Sequence, residues 1–265
     1  MKIYIIILHY GEIENTFDCL RSVELLYSRG INIKIVLINN SKFKIQKSKL
    51  KLKIQNFDLI NNQKNLGFAG GVNVGIREAL KDKQTEYILI LNNDTKVPAN
   101  LLLELLNNPS DITAPVIKYK DATGNWRYDF GGKINWLWGK TFHLENESGI
   151  MNQELRNQKI DYISGCAMCV KRKVFEKIGL FDERFFLYFE DADFCTRAKR
   201  NGYNITVNPD VVIFHQLSGG LSKKNLVVKY NLLKSNYTFI CNYLGLKIPL
   251  GLIYLILFFF KLLLK

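Results

Sequence analysis

Tyr87-Ile88-Leu89-Ile90-Leu91-Asn92-Asn93-Asp94 runs five apolar residues into three polar ones. A short unbroken apolar run reads as a strand buried on both faces, the kind found in parallel sheets covered by helices. Working outward, Lys2–Leu8 is a second such run, rich in β-branched residues, and Ile33–Ile38 is a third. Phe57–Ile60 is a shorter one. Between them the period changes. Phe17, Leu20, Val23 and Leu26 fall at helical spacing and predict a helix over Glu14–Ser28. The Gly-rich turn Asn65-Leu66-Gly67-Phe68-Ala69-Gly70-Gly71 opens a helix to about Leu80, and Pro98 and Asn100 introduce another to Leu106. Strands alternating with helices imply βαβ units, hence an α/β domain with a mostly parallel, twisted central sheet. Ligands of such sheets bind beyond the carboxyl ends of the strands. Three polar clusters fall at those ends: Tyr10-Gly11, Asn39-Asn40-Ser41 and Asn92-Asn93-Asp94.

The 265 residues can bury one large core or two small ones, and the formal net charge is +13. From His215 to the C-terminus there are seven Lys and no Asp or Glu. Such a stretch suits a phosphate-rich partner: anionic lipid, nucleotide or nucleic acid. The Lys42–Lys53 run reads equally as a solvated basic face. Ile248–Phe260 is thirteen residues without charge. That is short of the about twenty apolar residues of a membrane span, so an interfacial helix with snorkelling Lys is expected. The five Cys are scattered, and Met1-Lys2 leads straight into a strand without a cleavage site, which points to a reducing cytoplasm. Cys166 and Cys169 lack the second pair a zinc site needs and lie among small residues, so they read as packing. Trp126, Tyr128, Phe130, Trp136 and Trp138 cluster among glycines in a loose region, 119–159. Their faces suit stacking on sugar rings or a small local core.

The least expected feature is acidic. Glu190, Asp191 and Asp193 sit within four residues, directly after the aromatic run Phe185-Phe186-Leu187-Tyr188-Phe189. Carboxylates beside apolar side chains are costly unless a cation, a metal or hydrogen bonds compensate. They also head a helix over Ala192–Arg200, with Arg197, Lys199 and Arg200 in its last turns, where the N-terminus favours negative charge. Val211–Phe214 is a strand leading to His215.

With these blocks in order, the chain resembles the inverting nucleotide-sugar glycosyltransferases of family 2, particularly the rhamnosyltransferase-like branch. The resemblance rests on Ile38-Asn39-Asn40-Ser41, on Asn65 to Asn73, on Leu91-Asn92-Asn93-Asp94-Thr95, and on Gly179 to Phe186 running into Glu190-Asp191-Ala192-Asp193. His215 and Ser218-Gly219-Gly220 follow in place, and the match spans about Lys2 to Ser222.

The resemblance implies a single GT-A-type, Rossmann-like catalytic domain over 1–235, with acceptor-side loops at 119–159 and a membrane-associating tail at 236–265. It implies transfer of a sugar from a nucleoside-diphosphate sugar, dTDP-rhamnose or a UDP-sugar, to a saccharide or lipid-linked saccharide in surface polysaccharide synthesis. It assigns Tyr10, Asn39, Asn65, Gly67, Gly70, Asn73, Asn92, Asn93 and Asp94 to the nucleotide sugar. Asp94 and His215 are assigned to a divalent cation, Mg²⁺ or Mn²⁺. Asp191 is the general base, with Glu190 and Asp193 as alternates. The first acidic position of the family's D-x-D-type motif is Asn92 here, and Asn39 stands where an acidic residue contacts the base. The expected place of action is the inner face of the cell membrane, peripherally attached from the cytoplasm, with no nucleic-acid partner. Two other readings are a nucleotidylyltransferase, which would want a Gly-rich basic loop that Leu8-His9-Tyr10-Gly11-Glu12 does not supply, and a non-enzymatic basic binding protein, which leaves the acidic cluster unexplained. No dinucleotide fingerprint or P-loop follows the Gly67 turn.

Overall fold

A computed structural model describes residues 1–26, 30–46, 56–151, 159–217 and 226–263. The strands are β1 (Lys2–His9), β2 (Asn32–Asn39), β3 (Phe57–Asn61), β4 (Thr85–Asn92), β5 (Thr95–Lys96), β6 (Ile112–Lys120), β7 (Trp126–Asn135), β8 (Lys140–Asn146), β9 (Ala167–Lys171) and β10 (Ile205–His215). The helices are α1 (Ile13–Glu24), α2 (Gly67–Lys81), α3 (Leu101–Asn107), α4 (Arg172–Ile178), α5 (Glu190–Arg200), α6 (Leu226–Tyr243) and α7 (Ile248–Leu263), with a 3₁₀ turn at Gly245–Lys247.

One sheet runs in the order β3-β2-β1-β4-β9-β6-β10-β5, and β7 pairs with β6 and β8. Its first four strands are parallel, as the buried runs predict. Alternation along β1 explains the two cores. Tyr4, Ile6 and Leu8 face α2 through Ala69, Val72 and Ile76, whereas Ile3, Ile5 and Ile7 face α1 and α3 through Leu20, Val23 and Leu101. Helix α2 lies unusually close. A Cβ at Gly71 would stand 2.5 Å from Leu8, and one at Gly75 would stand 2.6 Å from Ile6.

The expectation of a mostly parallel sheet needs correcting. Strand β9 enters antiparallel between β4 and β6, β7 and β8 are antiparallel, and the sheet is mixed. Two of these strands escape a reading by pattern. Small residues in Ala167–Lys171 read as packing, although they form β9. Pro115 lies within β6, and the ladder accommodates it: the register of β10 shifts between Asn208 and Val212, opposite Pro115 and Val116. Part of the loose aromatic region is the β7–β8 hairpin, and residues 152–158 lie outside the described residues. Helix α1 ends at Glu24; residues 27 and 28 of the predicted helix, and Lys47–Lys53 of the basic run, are likewise outside them.

The boundary expected after residue 235 falls inside α6, which belongs with the body. Ser235 Oγ donates to the Leu187 carbonyl at 2.9 Å, Asn236 Nδ2 donates to Gly139 at 2.9 Å, and Phe239 packs on Phe189. Beyond it, Gly245–Leu262 is long and apolar enough to cross a membrane, by length and composition, and is almost wholly unburied. Counting only the uncharged residues understates this helix, because Lys247 at one end and Lys261 at the other can reach past an apolar layer.

Candidate active site

A cavity of about 260 Å³ opens beyond the carboxyl ends of β1, β2 and β4. Tyr10, Asn65, Gly67, Asn92, Asn93, Asp94 and His215 line it together, joined by Asn40, Phe68 and the segment Phe186–Tyr188. Local geometry explains the turn at its rim. Asn40 is buried and donates to Asn65 Oδ1 (2.9 Å) and the Gly67 carbonyl (2.8 Å), while its own Oδ1 accepts from Leu66 N–H (3.1 Å). Gly67 has φ +74°, and Phe68 N–H donates to the Phe186 carbonyl at 2.8 Å. A Cβ at Gly67 would sit 2.3 Å from that carbonyl oxygen, so only glycine lets the turn and the Phe186 segment meet.

Three expected donor residues are elsewhere. Asn39 is fully buried at the end of β2; its Nδ2 donates to Phe43 O (2.8 Å) and Asn61 Oδ1 (2.7 Å), and its Oδ1 accepts from Ser41 N–H (3.0 Å). A side chain so committed lies off the cavity lining; its neighbour Asn40 lines the cavity. Asn73 exchanges hydrogen bonds with the backbone of Phe181 and donates to Glu183 at 3.0 Å. Gly70 lies against Leu66 and Glu183. Both dock α2 on the 181–183 segment, one layer behind the cavity.

Beneath the cavity, Asn93 Nδ2 donates to Thr16 Oγ1 at 2.9 Å, and the same hydroxyl lies 2.7 Å from His9 Nδ1. His9 is buried without a carboxylate partner among the described residues, and burial lowers its pKa to about 4. The sign follows directly. The unfolded chain takes up a proton near pH 6.5 and the folded chain does not, so stability is full above 6.5 and falls as pH drops toward 4. The full difference is about 3 kcal/mol. Urea midpoints measured from pH 7 to 4.5 should fall less steeply in His9→Gln than in the wild type; equal slopes would contradict this.

Strand β5 brings distant residues together. It pairs His215 with Thr95 and Phe214 with Lys96, and Gln216 N–H donates to the Asp94 carbonyl at 2.9 Å. His215 Nε2 therefore lies 3.0 Å from Asp94 Oδ1. Burial opposes charge on His215, yet its pKa is held well above the ordinary range by its neighbours Cys166 and Asp94. The Cys166 thiol is itself pushed up by burial, so Asp94 is the counter-charge. Among the described residues no group of three His, Cys, Asp or Glu could hold a metal alone. Asp94 and His215 converge at the cavity beside the Asn92 amide, which fits a cation completing its shell with oxygens from a bound diphosphate.

The acidic cluster separates into three roles. Tyr188 and Phe189 both have φ 68°, a left-handed pair that is strained for non-glycine residues and turns the chain sharply into α5. Asp193 is buried and occupied: Arg197 Nε donates to Oδ2 at 2.8 Å and Tyr243 Oη to Oδ1 at 2.5 Å. It clamps α5 to α6, which corrects its place as an alternate base. Glu190 is buried, its Oε2 has no partner among the described residues, and burial followed by the Asp191 charge raises its pKa well above normal. The helix N-terminus was expected to keep both leading carboxylates ionised; for Glu190 desolvation wins. Asp191 is raised by burial too, but Gly165 N–H donates to its Oδ2 at 3.2 Å and Ala192 N–H to its Oδ1 at 2.8 Å, both favouring the carboxylate. Asp191 is not among the lining residues, but a Cβ at Gly165 would stand 3.8 Å from Asp191 Cβ and 3.0 Å from the ring of Phe68, which does line the cavity. Ser218–Gly220 lie outside the described residues.

The model of glycosyl transferase family 2 matches residues 4–179, about two thirds of the chain. The chain belongs to glycosyl transferase family 2. This family 2 glycosyltransferase domain is 28% identical over 190 residues to the low-salt glycan biosynthesis hexosyltransferase Agl10 of Haloferax volcanii, covering 69% of this chain and 59% of that one. It is 26% identical over 190 residues to the dTDP-rhamnosyl transferase RfbF of Shigella flexneri, covering 70% and 60%. The chain thus spans about three fifths of the length of these curated relatives. Its fold is shared with GalNAc-T7, solved with UDP, GalNAc and Mn²⁺ (TM-score 0.63, 18% identity, 86% of this chain and 47% of that one). It is shared also with the mannosyltransferase PcManGT of Pyrobaculum calidifontis, solved with GDP-Man and Mn²⁺ (TM-score 0.60, 14% identity, 91% and 63%).

Proposed function

We propose that this family 2 domain transfers a sugar, with inversion, from a nucleoside-diphosphate sugar to a hydroxyl of a saccharide or lipid-linked saccharide in surface polysaccharide synthesis. dTDP-rhamnose or a UDP-sugar is the donor. The observation that carries the reading is the single cavity that unites the Asn92–Asp94 strand end, His215 and the Phe186–Tyr188 segment leading to Asp191. Tyr10, 37% exposed at the rim, offers a face for the base. Asp94 and His215 would hold a divalent cation, which when bound neutralises charge developing on the departing diphosphate.

The residues perform the rest. Asp191 takes the proton of the acceptor hydroxyl as that oxygen bonds to the anomeric carbon and the bond from that carbon to the diphosphate breaks. The Gly165 and Ala192 N–H groups hold Asp191 in place. Asn40 fixes the Asn65–Gly67 rim against which the donor lies. Melting curves with a panel of nucleotide sugars, with and without Mn²⁺, test this reading: stabilisation by one nucleotide family, enhanced by Mn²⁺, is expected. No response to any nucleotide or nucleotide sugar sinks it.

The activities of the relatives, a hexosyltransferase and a dTDP-rhamnosyl transferase, favour a rhamnose-type or hexose donor. The exposed apolar face of α7, with Ile253, Ile256, Leu257 and Phe260 outward and basic ends, supports peripheral or inserted attachment at the inner face of the cell membrane. Removal of residues 245–265 should abolish co-sedimentation with anionic vesicles while donor-induced stabilisation persists; unchanged co-sedimentation would refute the attachment.

A further inference from the structure

Away from the transfer site, a second cavity of about 340 Å³ is lined by Trp136, Asp161, Thr196, Lys199 and Arg200. It shares none of these residues with the first cavity. Trp136 comes from the turn between β7 and β8, Asp161 from the segment before β9, and the other three from the second half of α5. The aromatic cluster of 119–159 divides here. Phe130 is buried in the core, and Trp126 is overlaid by Lys118 and Lys120, whose Nζ atoms lie 4.4 and 4.9 Å from its ring centre. Trp136 instead keeps 37% of its surface exposed, backed by Phe239 at 6.1 Å and by Tyr243 edge-on at 6.4 Å.

The polar groups beside Trp136 are fixed in place, and those left open are mainly donors. Lys199 Nζ donates to the Ile160 carbonyl at 2.8 Å and to Asp161 Oδ1 at 2.9 Å, which leaves one N–H to spare. Asp161 Oδ2 accepts Ile134 N–H at 3.0 Å, so both of its oxygens are already engaged. The Arg200 guanidinium lies 4.8 Å over the ring of Tyr243, and no carboxylate pairs with it among the described residues. Thr196 is buried, and its Oγ1 has no partner among the described residues. An unpaired buried hydroxyl is costly, and an oxygen-rich ligand would satisfy it. Two cations against one acid leave the cavity net positive. An aromatic face, a guanidinium, a spare ammonium N–H and a hydroxyl together suit a sugar ring that carries an anionic group.

We propose that this second cavity binds an anionic saccharide unit, of the uronate type, within the acceptor chain. The inference rests on the acceptor being a saccharide. Along α5, at 1.5 Å of rise per residue, Arg200 stands about 13 Å from Asp191, so the unit held here is one remote from the reacting hydroxyl.

The chain has three Trp, so three indole N–H resonances of the ¹⁵N-labelled full chain report on binding, and Trp136→Phe identifies the one at the cavity. Tetragalacturonate should shift the Trp136 indole and leave that of Trp126 in place. Maltotetraose, neutral and of equal length, should bind about tenfold more weakly, and inorganic phosphate should give no comparable shift. Arg200→Gln should weaken tetragalacturonate about tenfold and remove the preference over maltotetraose. Trp136→Ala, read by calorimetry, should weaken both oligosaccharides; should it fail to fold, Arg200→Gln and Trp136→Phe decide alone. A Trp136 indole silent to tetragalacturonate, or an affinity unchanged in Arg200→Gln, overturns the proposal. So does an equal response to phosphate, which marks a simple anion site. Donor-induced stabilisation, read at the first cavity, should be the same in Arg200→Gln as in the wild type. Its absence from the wild type sinks the transfer reading instead, a result distinct from a silent Trp136.

Discussion

Asp191→Asn should lower transfer by about 10²–10⁴-fold while nucleotide-sugar binding stays within a factor of a few. The substitution keeps the shape and one of the two hydrogen bonds accepted from Gly165 and Ala192, which go to different oxygens, and removes the capacity to take a proton. Asp191 sits outside the cavity lining, so donor-induced stabilisation should survive. Glu190 is poorly placed to stand in for it: its carboxyl is buried, and desolvation followed by the Asp191 charge raises its pKa well above the usual range. So is Asp193, whose two oxygens serve Arg197 and Tyr243. Asp193→Asn should therefore act mainly on stability, by loosening α5 from α6. Initial rates and donor-dependent melting shifts for the two variants separate the roles. Near-wild-type turnover in Asp191→Asn would end the assignment.

Asp94→Asn should cost about 10²–10³-fold in turnover and remove the Mn²⁺-dependent part of donor stabilisation. Asp94 supplies the one carboxylate in the Asn92-Asn93-Asp94 cluster, and it also pairs with His215 at 3.0 Å. An amide can still accept a hydrogen bond from the imidazole, but it brings no charge to a cation or to the developing diphosphate. Cys166 and Asp94 together raise the His215 pKa, so that pKa should fall in the variant. Isothermal titration of Mn²⁺ with nucleoside diphosphate present reads the effect. Unchanged Mn²⁺ binding in the variant would remove Asp94 from the cation's shell.

Much of this architecture is written in local pattern. The apolar runs of β1, β2 and β4 name strands buried on both faces, because they are short, rich in β-branched residues and end in polar turn residues. The Gly67 turn and the start of α2 follow from glycine placement. What local pattern obscures is where a strand's character comes from its neighbours. Ala167–Lys171 becomes β9 because β4 and β6 offer it two edges, and Pro115 is tolerated because β10 shifts register opposite it. Asn39 looks as available as Asn40 in sequence; only the packing of Phe43 and Asn61 around it takes it off the cavity wall.

By itself, the sequence determined that helices and a buried sheet alternate, that polar residues end the strands, and that the chain is a family 2 glycosyltransferase in which Asn92-Asn93-Asp94 and Glu190-Asp191-Ala192-Asp193 are the site candidates. Only the tertiary structure decided which of those carboxylates is free to act. Ionisation and pairing depend on what surrounds a group in space: Tyr243 lies 50 residues from Asp193, and His215 is carried to Asp94 by a two-residue strand. Burial, hydrogen bonds and neighbouring charge act over a few ångströms regardless of chain distance. Three adjacent acids therefore differ: burial raises the Glu190 pKa, two backbone N–H groups favour the Asp191 carboxylate, and Asp193 clamps α5 to α6.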